Sequence, residues 1–449
     1  MACYRITKGR DIQLKGEAKK EIVSFPLSQK VALQSSDFCG LRARLVVKET
    51  DPVKIGSPIL VDKDRPQIKI VSPASGKVAV VVRGEKRILE QIIIETDGRQ
   101  ETAQFTRYSE NDIPSLSREK VRDHLLEGGL WPVVRERPFS KIADPEHTPK
   151  SIFIHAMDTQ PLAGDIDFIL KDKEKNFQLG LDIIKHLTTG KVHLSIASSA
   201  QSKALTQARN VEIHQFKGPH PAGNVSTHIH FIDPINKGEV VWYIEAQDVL
   251  RIAELFVKGI YSPERIVAVT GEGAKNRVYA KTVVGAPLSL LLQGSSLDGM
   301  RCLSGSILTG KNVGKDGYLC FYDSQITVIP EGGKREFLGW LAPGFNKYTL
   351  SKTFVSSFIP VKGFSLNTDE HGSHREIVMN HIYDSLVPLD IYTYFLIKAI
   401  LAGDIEEAEK LGILECDVED FALCTFACPS KFDVSAMIQK GLETIEREG

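Results

Sequence analysis

The sequence predicts a multidomain α/β protein. Three observations carry this: a first hundred residues made of short β-branched runs, a middle third where strand and helix patterns alternate, and a helical end. The 449 residues, 42% hydrophobic and 25% charged, supply enough apolar material for three or four domains at roughly 100–200 residues each.

In the first hundred residues, Leu45-Val46-Val47, Pro58–Val61, Ile68–Val71, Lys77–Val82 and Gln91–Ile94 read as strands. Asp51-Pro52, Gly56, Pro73, Gly76, Gly84 and Asp97-Gly98 are the turns between them. From about residue 113 the period changes. Ser117 caps a helix through Leu126 that Gly128-Gly129 stops. Strands are expected at 152–156, 192–197, 211–216 and 265–270, with helices at 177–188 and 247–258 between them. That alternation favours a mostly parallel sheet flanked by helices. Residues 278–330 return to short strands with Gly-rich turns, and helices are expected at 389–401, 405–411 and 434–447.

Composition excludes some functions. Lys+Arg total 56 and Asp+Glu 57, a net charge of −1, which leaves no basic field for nucleic acid. The N-terminus lacks the apolar centre of a signal peptide. No apolar run reaches the roughly 18–20 residues that span a bilayer: the stretch 282–297 is broken by Gly285, Pro287, Gln293 and Gly294, and 386–402 carries Asp390 and Lys398. Seven scattered cysteines suggest reduced thiols in a cytoplasm.

Several phrases approach known chemistry and stop short. Asp51–Leu60 and Ile68–Val78 resemble the two halves of a hammerhead (biotinyl/lipoyl-like) module. Arg65 stands where such a carrier holds its modified lysine, and a guanidinium cannot take an acyl group. Lys63 is two places off register, so an unmodified copy is expected. Gly271-Glu-Gly273 follows a strand as a dinucleotide loop does, without the third glycine or the helix. Gly305–Lys311 nearly spells a phosphate loop, but Asn312 replaces the hydroxyl that binds magnesium. Cys416, Cys424 and Cys428-Pro429 keep the last step of an iron–sulfur run and lack its tight pairs, so a degenerate remnant is expected.

His214, His220, His228, His230 and Asp233 crowd one segment. A strand over 227–232 would aim His228 and His230 at one face. With His220 or Asp233 they could then hold a metal. Such histidines are more often hydrogen-bonded structural residues, and neutral imidazoles could also hydrogen-bond a quinone carbonyl.

Taken together, these and other phrases resemble one family. They are Ile6–Ile12, Ile70–Val78, Arg83–Arg87, Ala156–Thr159 with Pro161–Ala163, Gly218–Gly223, Thr227–Pro234, Pro388–Ile391, Leu411–Glu415 and Ala422–Lys431. The resemblance is to the A subunit of the bacterial sodium-pumping NADH:quinone reductase (NqrA). It implies a hammerhead-like β module over 1–110, a Rossmann-type domain over 111–257, a ubiquitin-like SLBB (β-grasp) module over 258–335, and a linker with a C-terminal helical domain over 336–449. It implies a peripheral subunit on the cytoplasmic face of the inner membrane, docked chiefly on the membrane-embedded B subunit of a six-subunit complex. By the same resemblance this chain carries no cofactor, catalytic residue or metal of its own; FAD, FMN and iron–sulfur reside on other subunits, and ubiquinone is the substrate of the complex. His220, His228, His230 and Asp233 are then the candidate quinone-side residues. Two other classes compete: a self-contained flavin- or NADH-dependent enzyme, and an iron–sulfur carrier.

Overall fold

The computed structural model describes residues 2–333, 336–339, 341–379 and 381–448. Its centre is a seven-stranded sheet in the order Ala2–Arg5, Glu212–Lys217, Lys191–Ala197, Ser151–Ala156, Val241–Glu245, Arg135–Arg137, Lys141–Ile142. The first five strands run parallel and the last two add an antiparallel edge. Ser151–Ala156 reads SIFIHA and is buried along almost its whole length, as an interior parallel strand must be. Ile152, Ile154 and Ala156 face the helices Glu174–Ile184 and Ala246–Lys258. Those two helices touch where Gly180 lies against Val249; a Cβ there would meet the Val249 carbonyl oxygen at 2.2 Å.

Phe153 faces the other way, into a cluster with Val225, Ile229, Val241 and Tyr243. Val225 and Ile229 belong to a helix, Val225–Ile232, so the strand over 227–232 on which a shared face for His228 and His230 depended does not form. The β-branched residues favour a strand by propensity, but Val225, Ile229 and Ile232 fall at helical spacing on the side that covers the sheet, and that burial decides. Ser117 caps Arg118–Glu127 as expected, accepting from the Lys120 backbone.

The N-terminal β module is two antiparallel sheets. One holds Lys30–Gln34, Leu89–Thr96, Gly76–Arg83 and Pro52–Val53; the other holds Ala43–Leu45, Pro58–Asp62 and Lys69–Val71. Gly76 has φ +151 and sits against the partner strand, where a Cβ would lie 1.9 Å from the Glu95 oxygen. Not every early strand serves this module. Ala2–Arg5 joins the parallel sheet, and Lys19–Ser24 edges the six-stranded sheet built from Glu264–Thr270, Val278–Val283, Met300–Ser304, Lys311–Asn312 and Gln325–Pro330.

The helices Ile382–Leu386, Thr393–Ala402, Ile405–Lys410, Ala422–Ala427 and Val434–Glu448 share a separate core that includes Ile12 from the N-terminal arm. Among the described residues no helix is long and apolar enough to cross a membrane.

Candidate functional site

In open parallel sheets, ligands bind beyond the carboxyl ends of the strands. Here two of those ends deliver His155 and Glu245, paired across neighbouring strands. His155 Nδ1 lies 2.8 Å from Glu245 Oε2, and its Nε2 lies 2.5 Å from the Gly223 carbonyl oxygen. Both ring nitrogens face acceptors, so the ring donates twice and is a cation. Burial alone would lower its pKa, but the Glu245 carboxylate overrides this and lifts it to about 10.

The loop 218–224 and the following helix fill this end of the sheet. His228 stands 5.5 Å from the His155 ring and lies 3.1 Å from the Ala222 oxygen through Nε2. Burial, then the His155 charge, push its pKa well down, so it is the neutral member of the pair. His220 Nδ1 lies 3.2 Å from Thr159 Oγ1, which also accepts from Gly223 N. Burial lowers the His220 pKa to about 4, and Nε2 is buried without a partner.

The four sequence candidates do not converge. Positions two apart on a helix diverge by roughly 200°, so His228 points inward while His230 reaches Glu415 at 2.8 Å. Asp233, past the end of the helix, holds Lys150 at 2.8 Å and Ser151 at 2.7 Å near the opposite end of the sheet. His214 is on the strand Glu212–Lys217, against His193.

A second polar layer joins this site to the helical domain. Arg137, 2% exposed, bonds Asp417 at 2.8 Å and Glu419 at 3.3 Å. Asn224 Nδ2 donates to Asp420 Oδ1 at 3.0 Å. Burial, then Asp417, raise the pKa of Glu419; burial also raises that of Asp420. Sequence reading missed Arg137, His155, Glu245 and the acids; their one visible signal was the run Glu415, Asp417, Glu419, Asp420 inside a helical region.

Beside His220 opens a cavity of about 680 Å³, lined among others by Arg10, Asp11, Pro219, Tyr348, Lys352 and Phe364. The His220 backbone is bonded to its wall: the main-chain N–H donates to Asp11 Oδ1 at 2.9 Å, and the main-chain carbonyl accepts from Arg10 N at 2.7 Å.

The near-motifs are occupied by the chain itself. Gly271, at φ +94, packs on the Val328 backbone and donates to the Gly16 oxygen; the strand Val278–Val283 follows it. Lys311 is spent on Gln34 and Ser36. Arg65 pairs with Asp62 and Asp144. Cys416, Cys424 and Cys428 are all buried in the helical core, where Cys428 Sγ meets the Tyr383 hydroxyl at 3.0 Å and burial pushes the Cys416 and Cys424 thiols up.

Three family models match the chain. They are the NqrA N-terminal barrel-sandwich hybrid domain over residues 4–97, the NqrA second alpha/beta domain over 116–261, and the NQRA C-terminal (SLBB) domain over 266–315. These are the domain types the sequence led us to expect. The chain is 40% identical over 447 residues to the A subunit of the Na(+)-translocating NADH-quinone reductase of Neisseria meningitidis serogroup B, covering 99% of this chain and 100% of that one. It is 40% identical over 449 residues to the protein of the same name from Yersinia pseudotuberculosis serotype I, with the same coverage. A solved NAD+-reducing [NiFe]-hydrogenase covers 41% of each chain at a TM-score of 0.30 and 11% identity, too distant to carry an argument.

Proposed function

Since the chain belongs to the family formed by the A subunit of the Na(+)-translocating NADH-quinone reductase, and so takes part in catalysis as part of that complex, we propose that it shapes the quinone end of the electron path and docks on the membrane-embedded B subunit. The observation that carries this reading is where its apolar surface lies. Most of the exposed large apolar side chains fall between residues 337 and 401, among them Phe337 (92% exposed), Phe358 (76%) and Tyr392 (71%). Apolar surface of this kind on a chain without a spanning helix among its described residues is what a membrane-side partner would cover.

The cavity beside His220 adjoins that region, since Ile359 and Val361 line it. His220 is our quinone-side candidate among the four, because its Nε2 is buried without a partner, and in the tautomer that protonates it this nitrogen would donate to a quinone carbonyl. In this reading the chain lies on the cytoplasmic face, and the flavins and iron–sulfur belong to its partners. Its own contribution is binding and orientation. The filled end of the parallel sheet supports the same division of labour, since His155, His228 and the 218–224 loop occupy the place a dinucleotide takes in an enzyme of this fold.

The test is the complex purified without this chain. Quinone reduction should be lost while NADH oxidation by an artificial acceptor persists. Survival of both activities would sink the proposal.

A further inference from the structure

The parallel sheet brings a second group of titratable side chains together at its other end. His193 lies on the strand Lys191–Ala197, in register with Glu212 on the next strand. Side chains two apart on a strand share a face, so His214 points the same way as Glu212. The three converge. His193 Nδ1 is 3.0 Å from His214 Nε2, and Glu212 Oε2 is 3.6 Å and 3.9 Å from those nitrogens. Among the described residues this is the only trio of His, Cys, Asp or Glu groups whose ligand atoms all lie within 4.8 Å of one another.

We propose that His193, His214 and Glu212 bind a divalent cation of the zinc class, two imidazole nitrogens and one carboxylate oxygen serving as ligands. Zinc–ligand bonds of about 2.0–2.1 Å at tetrahedral angles place ligand atoms about 3.3 Å apart. The nitrogens are close to that spacing. The carboxylate oxygen is too far for a good hydrogen bond to either ring, and needs to move only a few tenths of an ångström to complete the set. The Glu212 side chain is 45% exposed, which gives it that freedom and gives the ion a way in from solvent. Lys191 Nζ holds the other oxygen, Oε1, at 2.8 Å, so Oε2 is the one turned to the histidines. Burial keeps both imidazoles in the neutral form that ligates, lowering His193 to about 4 and His214 in the same direction. Imidazole with carboxylate suits zinc and its neighbours in the first transition row, and the absence of a thiolate in the set argues against a soft monovalent ion. An occupied site would tie the strands Lys191–Ala197 and Glu212–Lys217 together at the end where Ala2 pairs with His214.

The test uses the full chain, stripped with a chelator and titrated with zinc chloride by calorimetry, then with cobalt(II) in the spectrophotometer. We expect one saturable equivalent, and visible cobalt d–d bands without thiolate charge transfer. Glu212→Ala and His214→Gln should each weaken binding at least about tenfold. His374→Gln, which changes an exposed histidine beside Glu370, should leave it intact. Glu212 sits at the surface, so its variant remains interpretable if His214→Gln disturbs the sheet; equal unfolding midpoints of the metal-free proteins check this. Absence of saturable binding below about 0.1 mM overturns the proposal and leaves a hydrogen-bonded histidine pair. So does full binding by Glu212→Ala, or a thiolate band, which would assign the metal to cysteines.

Discussion

His155 holds a proton far above the usual histidine range because Glu245 accepts from one ring nitrogen and the Gly223 carbonyl from the other. A base whose folded pKa is raised to about 10, from 6.5, stabilises the fold fully below pH 6.5 and loses that contribution as pH rises toward 10. Glu245→Gln should therefore cost about 2 kcal/mol near pH 6, the range of a hydrogen bond to a charged group, discounted for the partly exposed carboxylate. The gap to the parent should close by pH 10. Unfolding midpoints of the two proteins across pH 6–10 measure it, and a gap that stays constant would remove the charge from the explanation. None of this was legible in the sequence. His155 reads there as one residue of the strand Ile152–Ala156, and Glu245 is ninety positions away. Only the strand order makes them neighbours. The same holds for His193 and His214, separated by twenty-one positions and joined by adjacent strands.

Among the elements, legibility followed how far local pattern and burial agreed. Ser117 marks the start of Arg118–Glu127 in the sequence as in the fold, because a cap is local, and the helix expected over 247–258 forms as Ala246–Lys258, closed by Gly259 in the αL conformation. Val225–Ile232 misleads because its propensity and its tertiary burial disagree. The consequence is chemical as well as geometric. A strand would put His228 and His230 on one face; the helix sends His228 to His155 and His230 to the helical domain. The short segment Val418–Phe421 shows the same dependence on distant partners. Its capping box, Asp417 with Asp420, satisfies its own backbone while leaving Asp417 Oδ2 for Arg137. Arg137→Met should leave Asp417 and Glu419 without their cation and cost about 3 kcal/mol. Hydrogen exchange should then rise selectively over 405–448. Uniform exchange across the chain would mean that the ion pairs do not hold the helical domain in place.

At the scale of the whole chain, two kinds of surface divide the molecule. The β module and the parallel sheet bury their apolar residues in one continuous core, whereas 337–401 leaves many of its own uncovered. An apolar residue exposed to water in the free chain contributes little to its stability, and its burial at an interface contributes about 25 cal/mol per Å². The two states therefore respond differently to one change. Phe358→Glu combined with Phe345→Glu should shift the stability of the isolated chain by less than about 0.5 kcal/mol, as surface substitutions do. It should also lower recovery of the chain with the membrane subunits at least tenfold, because each charge would have to be desolvated against an apolar partner. Quinone reduction should fall with the bound fraction while NADH oxidation by an artificial acceptor is unchanged. Comparing unfolding midpoints of the free variant with its co-purification separates a folding defect from an assembly defect. Full assembly of the doubly charged chain would move the docking face off this segment, toward the exposed Ile88 and Val80 of the β module instead.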